Sequence, residues 1–400
     1  MKKLIAVLVV FAIVSGAAFA QFSGNMINSI DLAKGSTNDG DDDIIGGGEQ
    51  NRWRIEGAGE NEEGTFGAWS RLDGVHWSGN IQFESIVWWK PIDQLKVSIG
   101  GNSDGIFGKE GYAGWMYFQI VNETNVVEAN QAWGCAYSQG LVFRDAFFGG
   151  YGGQGLLLEI TPMDMVAINL AVPFIDMAGA KTKDIIKYSI AQVDLNLDFG
   201  NIAITYVGGD NKLVMGDIMD PDWDGPDVFD ASKIYLYFGL GMVENLDLGV
   251  SVGYTFPVKD DKITFNSPIA AGVGAKYSFS DEFALKARAV ASFAGNIDYD
   301  GTKADFPLQL IFEVHPSYNI TETVTIFADV GVNFTAETKF DGTKVLDSVM
   351  GWHFNPYIGI GSEWGPRFFG GLKVYSTGEK NAKDDTWVNW AVPIGMVISF

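Results

Sequence analysis

Three aspartates, Asp220, Asp222 and Asp224, stand at alternate positions before Gly225 and have the spacing of calcium ligands. In calcium loops, carboxylates early in the loop converge around a glycine turn, and a bidentate glutamate at the last position completes the site. The last position here is Ala231, so the usual bidentate ligand is missing. The sequence leaves two interpretations open: a calcium loop completed by other carboxylates, or a solvated acidic loop that binds no metal.

Two glycine motifs match catalytic or cofactor-binding patterns but stand in the wrong surroundings. Gly249-Val-Ser-Val-Gly253 has the G-x-S-x-G spacing of a nucleophile elbow, which needs a sharp turn from a strand into a helix. Ser251 lies instead within strict alternation, which favours a continuous strand. Residues 150–155 match G-x-G-x-x-G, but no helix-like pattern follows, as a dinucleotide site requires. We therefore expect no enzyme and no cofactor apart from the calcium candidate.

Charged side chains at a spacing of two residues form the third candidate. Lys286 and Arg288 share one segment, Glu313 and His315 the next, and Asp329 the one after. If these segments are neighbouring strands, alternate side chains share one face and the charges lie close together. They could then line a pore and create a field that sorts solutes by charge and size. The alternative is that they pair with one another and stabilise the wall.

The segments that carry these residues alternate between apolar and polar or small side chains. From Phe283 to Phe293, apolar residues occupy every odd position, whereas Lys286 and Arg288 occupy even ones. Similar segments recur along the chain, which is 47% apolar and has 50 glycines but almost no helical periodicity. A transmembrane barrel places its apolar residues in this way, at every second position. The pattern predicts an all-β protein built as a single antiparallel up-and-down transmembrane barrel.

The amino-terminal residues have the form of a secretory signal peptide. Met1-Lys2-Lys3 is basic, the run from Leu4 to Val14 is apolar, and small residues follow, with cleavage expected after Ala20. The apolar run is too short for a transmembrane helix, which needs about 20 such residues. Cys135 is the only cysteine, so no internal disulfide is expected.

The carboxyl-terminal segment from Trp390 alternates strictly and ends on an aromatic residue. Its apolar face includes Ile394, Met396, Ile398 and Phe400. The closing strand and the signal peptide make the chain resemble bacterial outer-membrane β-barrel porins. The machinery that assembles such barrels recognises an aromatic residue at the end of the last strand. The resemblance implies a multi-pass protein in the outer membrane of a diderm bacterium, in contact with outer-membrane lipid and the barrel-assembly machinery. Porins of this size are often homotrimers, but no residue here shows an interface.

Connections of alternating length divide the chain. Short turns and longer polar connections follow each other from His76 onward, as in barrels with short periplasmic turns and long extracellular loops. We expect residues 1–20 to be the signal peptide, 21–64 an acidic Gly/Asp-rich segment that contributes the first strand or strands, and 65–400 the barrel. The strand number is expected to be about 16, with about 18 as the alternative. The longest connection, 101–153, is rich in aromatic residues and either folds into the lumen or forms an external lid.

The charge balance and the porin resemblance together define the expected function. The formal net charge is −23, which argues against nucleic acid as a partner. The resemblance implies a water-filled channel for passive diffusion of ions and small hydrophilic solutes, and the acidity favours mild cation preference. The alternative is a surface adhesin or structural barrel whose acidic aromatic loops bind a ligand.

Overall fold

The computed structural model describes residues 21–37, 44–75, 80–101, 155–173, 189–214, 228–256, 258–259, 263–266, 269–292, 296–299, 302–305, 308–340, 343–361, 366–376, 378 and 386–399. Several predictions from the sequence lie outside these residues: the signal peptide and its cleavage site, nearly all of the 101–153 connection, His76, the calcium candidates Asp220, Asp222 and Asp224, and Phe400. The described residues contain no helix that is long and apolar enough to cross a membrane.

Strands account for most of the described chain. In chain order they are β1 (Gln21–Ser36), β2 (Ile44–Glu60), β3 (Phe66–Val75), β4 (Asn80–Ile92), β5 (Leu95–Gly101), β6 (Gly155–Met163), β7 (Val166–Pro173), β8 (Ile190–Leu197), β9 (Gly200–Val214), β10 (Val228–Leu240), β11 (Leu246–Thr255), β12 (Val258–Lys259), β13 (Ile263–Asn266), β14 (Ile269–Ser278), β15 (Phe283–Ser292), β16 (Asn296–Tyr299), β17 (Thr302–Asp305), β18 (Gln309–Thr321), β19 (Val324–Thr335), β20 (Thr338–Phe340), β21 (Thr343–Leu346), β22 (Val349–Gly361), β23 (Pro366–Gly371), β24 (Lys373–Ser376) and β25 (Asn389–Ser399).

The main sheet closes on itself. Its 19 described strands pair antiparallel with their neighbours, and β25 pairs with β1 from Asn25↔Ser399 to Ser36↔Asn389. β23 and β24 are two halves of one strand, since both pair with β22 and with β25. When β23 and β24 are counted as one strand, the described residues form a closed ring of 18 strands. This is the larger of the two numbers that the sequence left open, because β1 and β2 both belong to the ring.

The two faces of the wall have opposite chemistry. On β18, Phe312 is 50% exposed, whereas the adjacent Glu313 is 4% exposed and lies on the inner face. The same alternation holds around the ring, where apolar side chains face outward and the buried charged and polar side chains face inward. An exposed apolar exterior around a polar interior is the pattern of a membrane-spanning barrel, in which lipid solvates the outer surface. The predicted all-β transmembrane barrel is confirmed.

Connections differ in length at the two ends of the barrel. At one end, tight turns join β2–β3, β4–β5, β6–β7, β8–β9, β10–β11, β14–β15 and β18–β19. In the β10–β11 turn, Asn245 adopts φ 62°, a left-handed conformation that asparagine tolerates better than most residues. Near these turns, outward aromatic rings contact each other, as in Tyr277–Phe279 with centroids 4.7 Å apart. This arrangement matches the aromatic girdle of membrane barrels.

At the opposite end, three connections form a second sheet that the sequence did not reveal. The hairpins β12–β13, β16–β17 and β20–β21 pair side by side into six antiparallel strands. These hairpins lie in three of the longer polar connections expected from the sequence, at about residues 258–266, 295–304 and 336–350. Their strands are two to four residues long, too short for alternation to distinguish them from loops.

Candidate functional site: the polar wall of the lumen

Three consecutive strands of the ring carry the five charged residues identified from their spacing. Lys286 and Arg288 lie on β15, opposite His315 and Glu313 of β18. Asp329 lies on β19, the next strand along the ring. All five belong to the inner face, but they lie beside one another on one part of the wall and do not face each other across the lumen.

Within this group, the charges form direct contacts. The Arg288 guanidinium donates through Nε to Glu313 Oε2. His315 Nδ1 contacts Asp329 Oδ1, and the hydroxyl of Tyr357 on β22 donates to Asp329 Oδ2 over 3.2 Å. His315 is 1% exposed and Glu313 4%, so these contacts are shielded from bulk water. Arg288 and Glu313, and likewise His315 and Asp329, therefore form contacts between neighbouring strands. Such pairing was one of the two interpretations that the sequence left open for these residues.

Gly331 extends the group to β22. It lies between Glu313 and His353 in the register of β18, β19 and β22. A Cβ at this position would lie 2.3 Å from His353 Cε1 and 2.8 Å from Glu313 Cγ. The missing side chain thus allows His353 and Glu313 to cover the backbone of β19. His353 and Tyr357 were not singled out from the sequence, although their alternation with outward Phe354 and Pro356 could have identified them.

An aromatic cluster packs against this polar group on the same inner face. The Phe327 ring lies 4.0 Å from Tyr357, 6.2 Å from Phe369 and 5.9 Å from His315, measured between ring centroids. The Arg367 guanidinium lies 5.2 Å from the centre of the Phe369 ring, within the range of a cation–π contact. Phe327, Tyr357 and Phe369 are each 4–5% exposed. The cluster links β19, β22 and β23 through side chains inside the barrel.

A second ionic group occupies β2, β3 and β4. Arg54 donates to Asp73 Oδ2 through Nη2 at 2.9 Å, and Arg71 Nη2 lies 2.5 Å from Glu84 Oε2. Arg71 is 2% exposed and also stacks over Trp69 at 5.5 Å. This group was not predicted, because β2 lies in the segment 21–64, whose strands were only weakly indicated by the sequence. Arg54 and Glu56 nevertheless follow the same spacing of two, as do Arg71 and Asp73.

Charges on the inner wall are balanced. Among the described side chains, the inner face carries ten basic and ten acidic residues, assigned by register and alternation with the buried positions. The basic residues are Lys34, Arg54, Arg71, Lys90, Lys96, Lys276, Lys286, Arg288, Arg367 and Lys373. The acidic residues are Asp31, Glu56, Glu60, Asp73, Glu84, Glu159, Asp194, Asp247, Glu313 and Asp329. The described side chains of this wall therefore contribute nothing to the net charge of −23.

Residues of the closing strand occupy the outer face. Ile394 is 38% exposed and pairs with Gly370, Met396 pairs with Phe368, and Ile398 pairs with Pro366. On the other side of β25 the same three residues pair with Ile30, Asn28 and Met26 of β1. The described residues contain no cluster of three or more His, Cys, Asp or Glu side chains arranged so that they could hold a metal ion.

Comparison with known proteins gives a structural likeness only, since no protein-family model and no curated protein matches the chain. The anion-selective porin from Comamonas acidovorans superposes with a TM-score of 0.50 at 12% identity, over 96% of this chain and 100% of the porin. OmpT, an outer membrane protein of Vibrio cholerae, gives 0.49 at 10% identity, over 95% and 97%. A Rhodopseudomonas blastica porin gives 0.46 at 16%, over 96% and 100%. The likeness to the Comamonas protein shows that this chain has the fold of bacterial outer-membrane porins.

Proposed function

We propose that the chain forms a water-filled channel in the bacterial outer membrane for passive diffusion of ions and small hydrophilic solutes. The observation that supports this most directly is the closed ring of 18 strands with an apolar outer face and a charged inner face. Antiparallel barrels of about 16–18 strands are wide enough to leave an aqueous channel. Charged side chains along a membrane-spanning wall are solvated only if such a channel, or a partner charge, is beside them.

Conductance of the purified protein tests this proposal. Refolded protein inserted into a planar lipid bilayer should produce discrete, stepwise increases in current in potassium chloride. The same preparation, heat-denatured before addition, is the control. Insertion of folded barrels, verified by heat-modifiable gel migration, without any conductance would overturn the channel proposal.

Mild cation preference is part of the proposed function. After removal of Lys2 and Lys3 with the signal peptide, 25 basic and 50 acidic residues would remain, a net charge of −25. Because the described side chains of the inner wall carry equal numbers of basic and acidic groups, we expect the permeability ratio of potassium over chloride to exceed one only modestly. The zero-current potential across a potassium chloride gradient measures it, and a potential of the sign for chloride would contradict the preference.

The six-stranded sheet of hairpins favours the second candidate, an adhesin or structural barrel. It forms a second sheet, separate from the 18 strand positions of the ring, whose surface could bind a ligand. Deletion of residues 296–305, the central β16–β17 hairpin, should abolish binding of cells to an immobilised ligand and leave the conductance unchanged if the chain has that role.

Assembly of the barrel depends in this proposal on the terminal aromatic residue. Replacing Phe400 with serine is expected to lower the amount of heat-modifiable barrel in outer membranes several-fold, because the assembly machinery would no longer recognise the closing strand. Phe279→Ser, which changes an exposed phenylalanine in the β14–β15 turn, is the matched control. Unchanged barrel levels in the Phe400 variant would show that this residue is not the signal.

Homotrimer formation is proposed as well, and cross-linking in membranes tests it.

A further inference from the structure

Every tight turn that the structure describes carries a carboxylate, and none of these seven turns carries a lysine or an arginine. All nine carboxylates are exposed. They are Glu62 and Glu63, Asp93, Asp164, Asp198, Glu244, Asp281 and Glu282, and Glu322. The seven turns follow one another along the ring from β2 to β19. They therefore place a row of negative charge along the rim of the barrel.

The turns also hold these charges in place. Between β4 and β5 the connection is only Asp93 and Gln94, and between β6 and β7 only Asp164 and Met165. In the β14–β15 turn, the Ser280 hydroxyl donates to Glu282 Oε2 over 2.7 Å. This hydrogen bond and one from the backbone lower the pKa of Glu282, which keeps its carboxyl charged into acidic solution. Short connections leave the carboxylates no freedom to move far from the mouth.

The rest of the described barrel lacks such an imbalance. The inner wall carries ten charges of each sign, and many of them contact an opposite charge, as Arg288 contacts Glu313. At the other end, the described hairpin residues have mixed signs. Lys339 lies 3.0 Å from Glu337, and Lys344 lies 2.5 Å from Asp347. Single-signed charge held in a fixed position is thus a property of the tight-turn rim.

We propose that this rim, and not the inner wall, sets the cation preference of the channel. The inference rests on the proposed conductance and identifies the residues responsible for selectivity. A ring of fixed carboxylates raises the local concentration of cations and lowers that of anions at a pore mouth. The effect extends over about one Debye length, about 10 Å at 0.1 M salt and about 3 Å at 1 M. The mild preference should therefore be largest in dilute salt and should decline as the salt concentration rises.

A five-site variant tests the rim directly. It combines Asp93→Asn, Asp164→Asn, Asp198→Asn, Glu244→Gln and Glu322→Gln, one carboxylate from each of five turns. The matched control removes five charges from the long connections: Asp39, Asp41, Asp42 and Asp43 to asparagine, with Glu337→Gln. We expect the excess of the potassium-to-chloride permeability ratio over one, measured in 0.1 M salt, to fall at least twofold in the rim variant. The control should retain most of this excess.

The outcomes separate the rim from the channel itself. A rim variant that conducts and retains the full ratio would overturn the inference, as would a control that loses as much selectivity as the rim variant. Absence of conductance in the unmodified protein would instead overturn the proposed function. Heat-modifiable migration of each variant shows whether the barrel has folded. If the five-site variant does not fold, Asp164→Asn with Asp198→Asn provides the same comparison with two charges.

Discussion

Replacement of Arg288 by methionine is expected to lower the free energy of unfolding by about 3–5 kcal/mol. Methionine retains the length of the side chain but removes the cation that contacts Glu313. The Glu313 carboxylate is 4% exposed, so it would remain charged in a poorly solvated place or take up a proton at a cost. Urea titration of the barrel in lipid vesicles, followed by tryptophan fluorescence, measures the change.

Two further variants make this prediction specific. In Arg288→Met/Glu313→Leu both charges are gone, so most of the lost stability should return. Lys96→Met removes a cation whose side chain is 32% exposed and lies 3.0 Å from Glu159. That ion pair is better solvated and should be worth only about 1 kcal/mol or less. A Lys96 variant as unstable as the Arg288 variant would show that burial of the pair is not the cause.

Truncation of Phe327 to alanine should cost about 3–5 kcal/mol of unfolding free energy. Its ring contacts Tyr357, Phe369 and His315, and it is 5% exposed on the inner face. The cavity left behind cannot be filled by lipid, because the position faces away from the membrane. The same urea titration provides the measurement.

Phe312→Ala is the matched control for the Phe327 variant. Phe312 has the same side chain but is 50% exposed on the outer face, where lipid chains can replace the lost contacts. We expect its cost to be clearly smaller. Equal costs at the two positions would mean that the inner aromatic cluster adds no more stability than a lipid-facing ring.

Most of the barrel could be predicted from the sequence because lipid and the barrel interior favour very different side chains. Each spanning strand has one face toward lipid and one toward the interior, so apolar and polar residues must alternate, as Phe283 to Phe293 do. The strand number was harder to fix. β1 and β2 contain glycine, serine and asparagine at many positions, which weakens the alternation that identifies the other strands.

The polar wall was only half predictable, for a different reason. Alternation showed that Lys286, Arg288, Glu313, His315 and Asp329 share the inner face. It could not show that they contact neighbours on adjacent strands, because register depends on turn geometry and bulges such as the one on β18. The role of Gly331 was equally hidden, since a glycine in a strand gives no sign of which side chains cover it.

In the sheet formed by the three hairpins, segments that are far apart in the sequence together form one part of the molecular surface. β13 pairs with β16, and β17 pairs with β20, so the central hairpin connects the outer two. We expect an antibody that binds across this sheet to contact residues from more than one connection, so that a linear peptide from a single hairpin competes for it poorly. A substitution in one hairpin must leave its strands able to pair with those of the neighbouring hairpin. This requirement limits which sequence changes the sheet can accept.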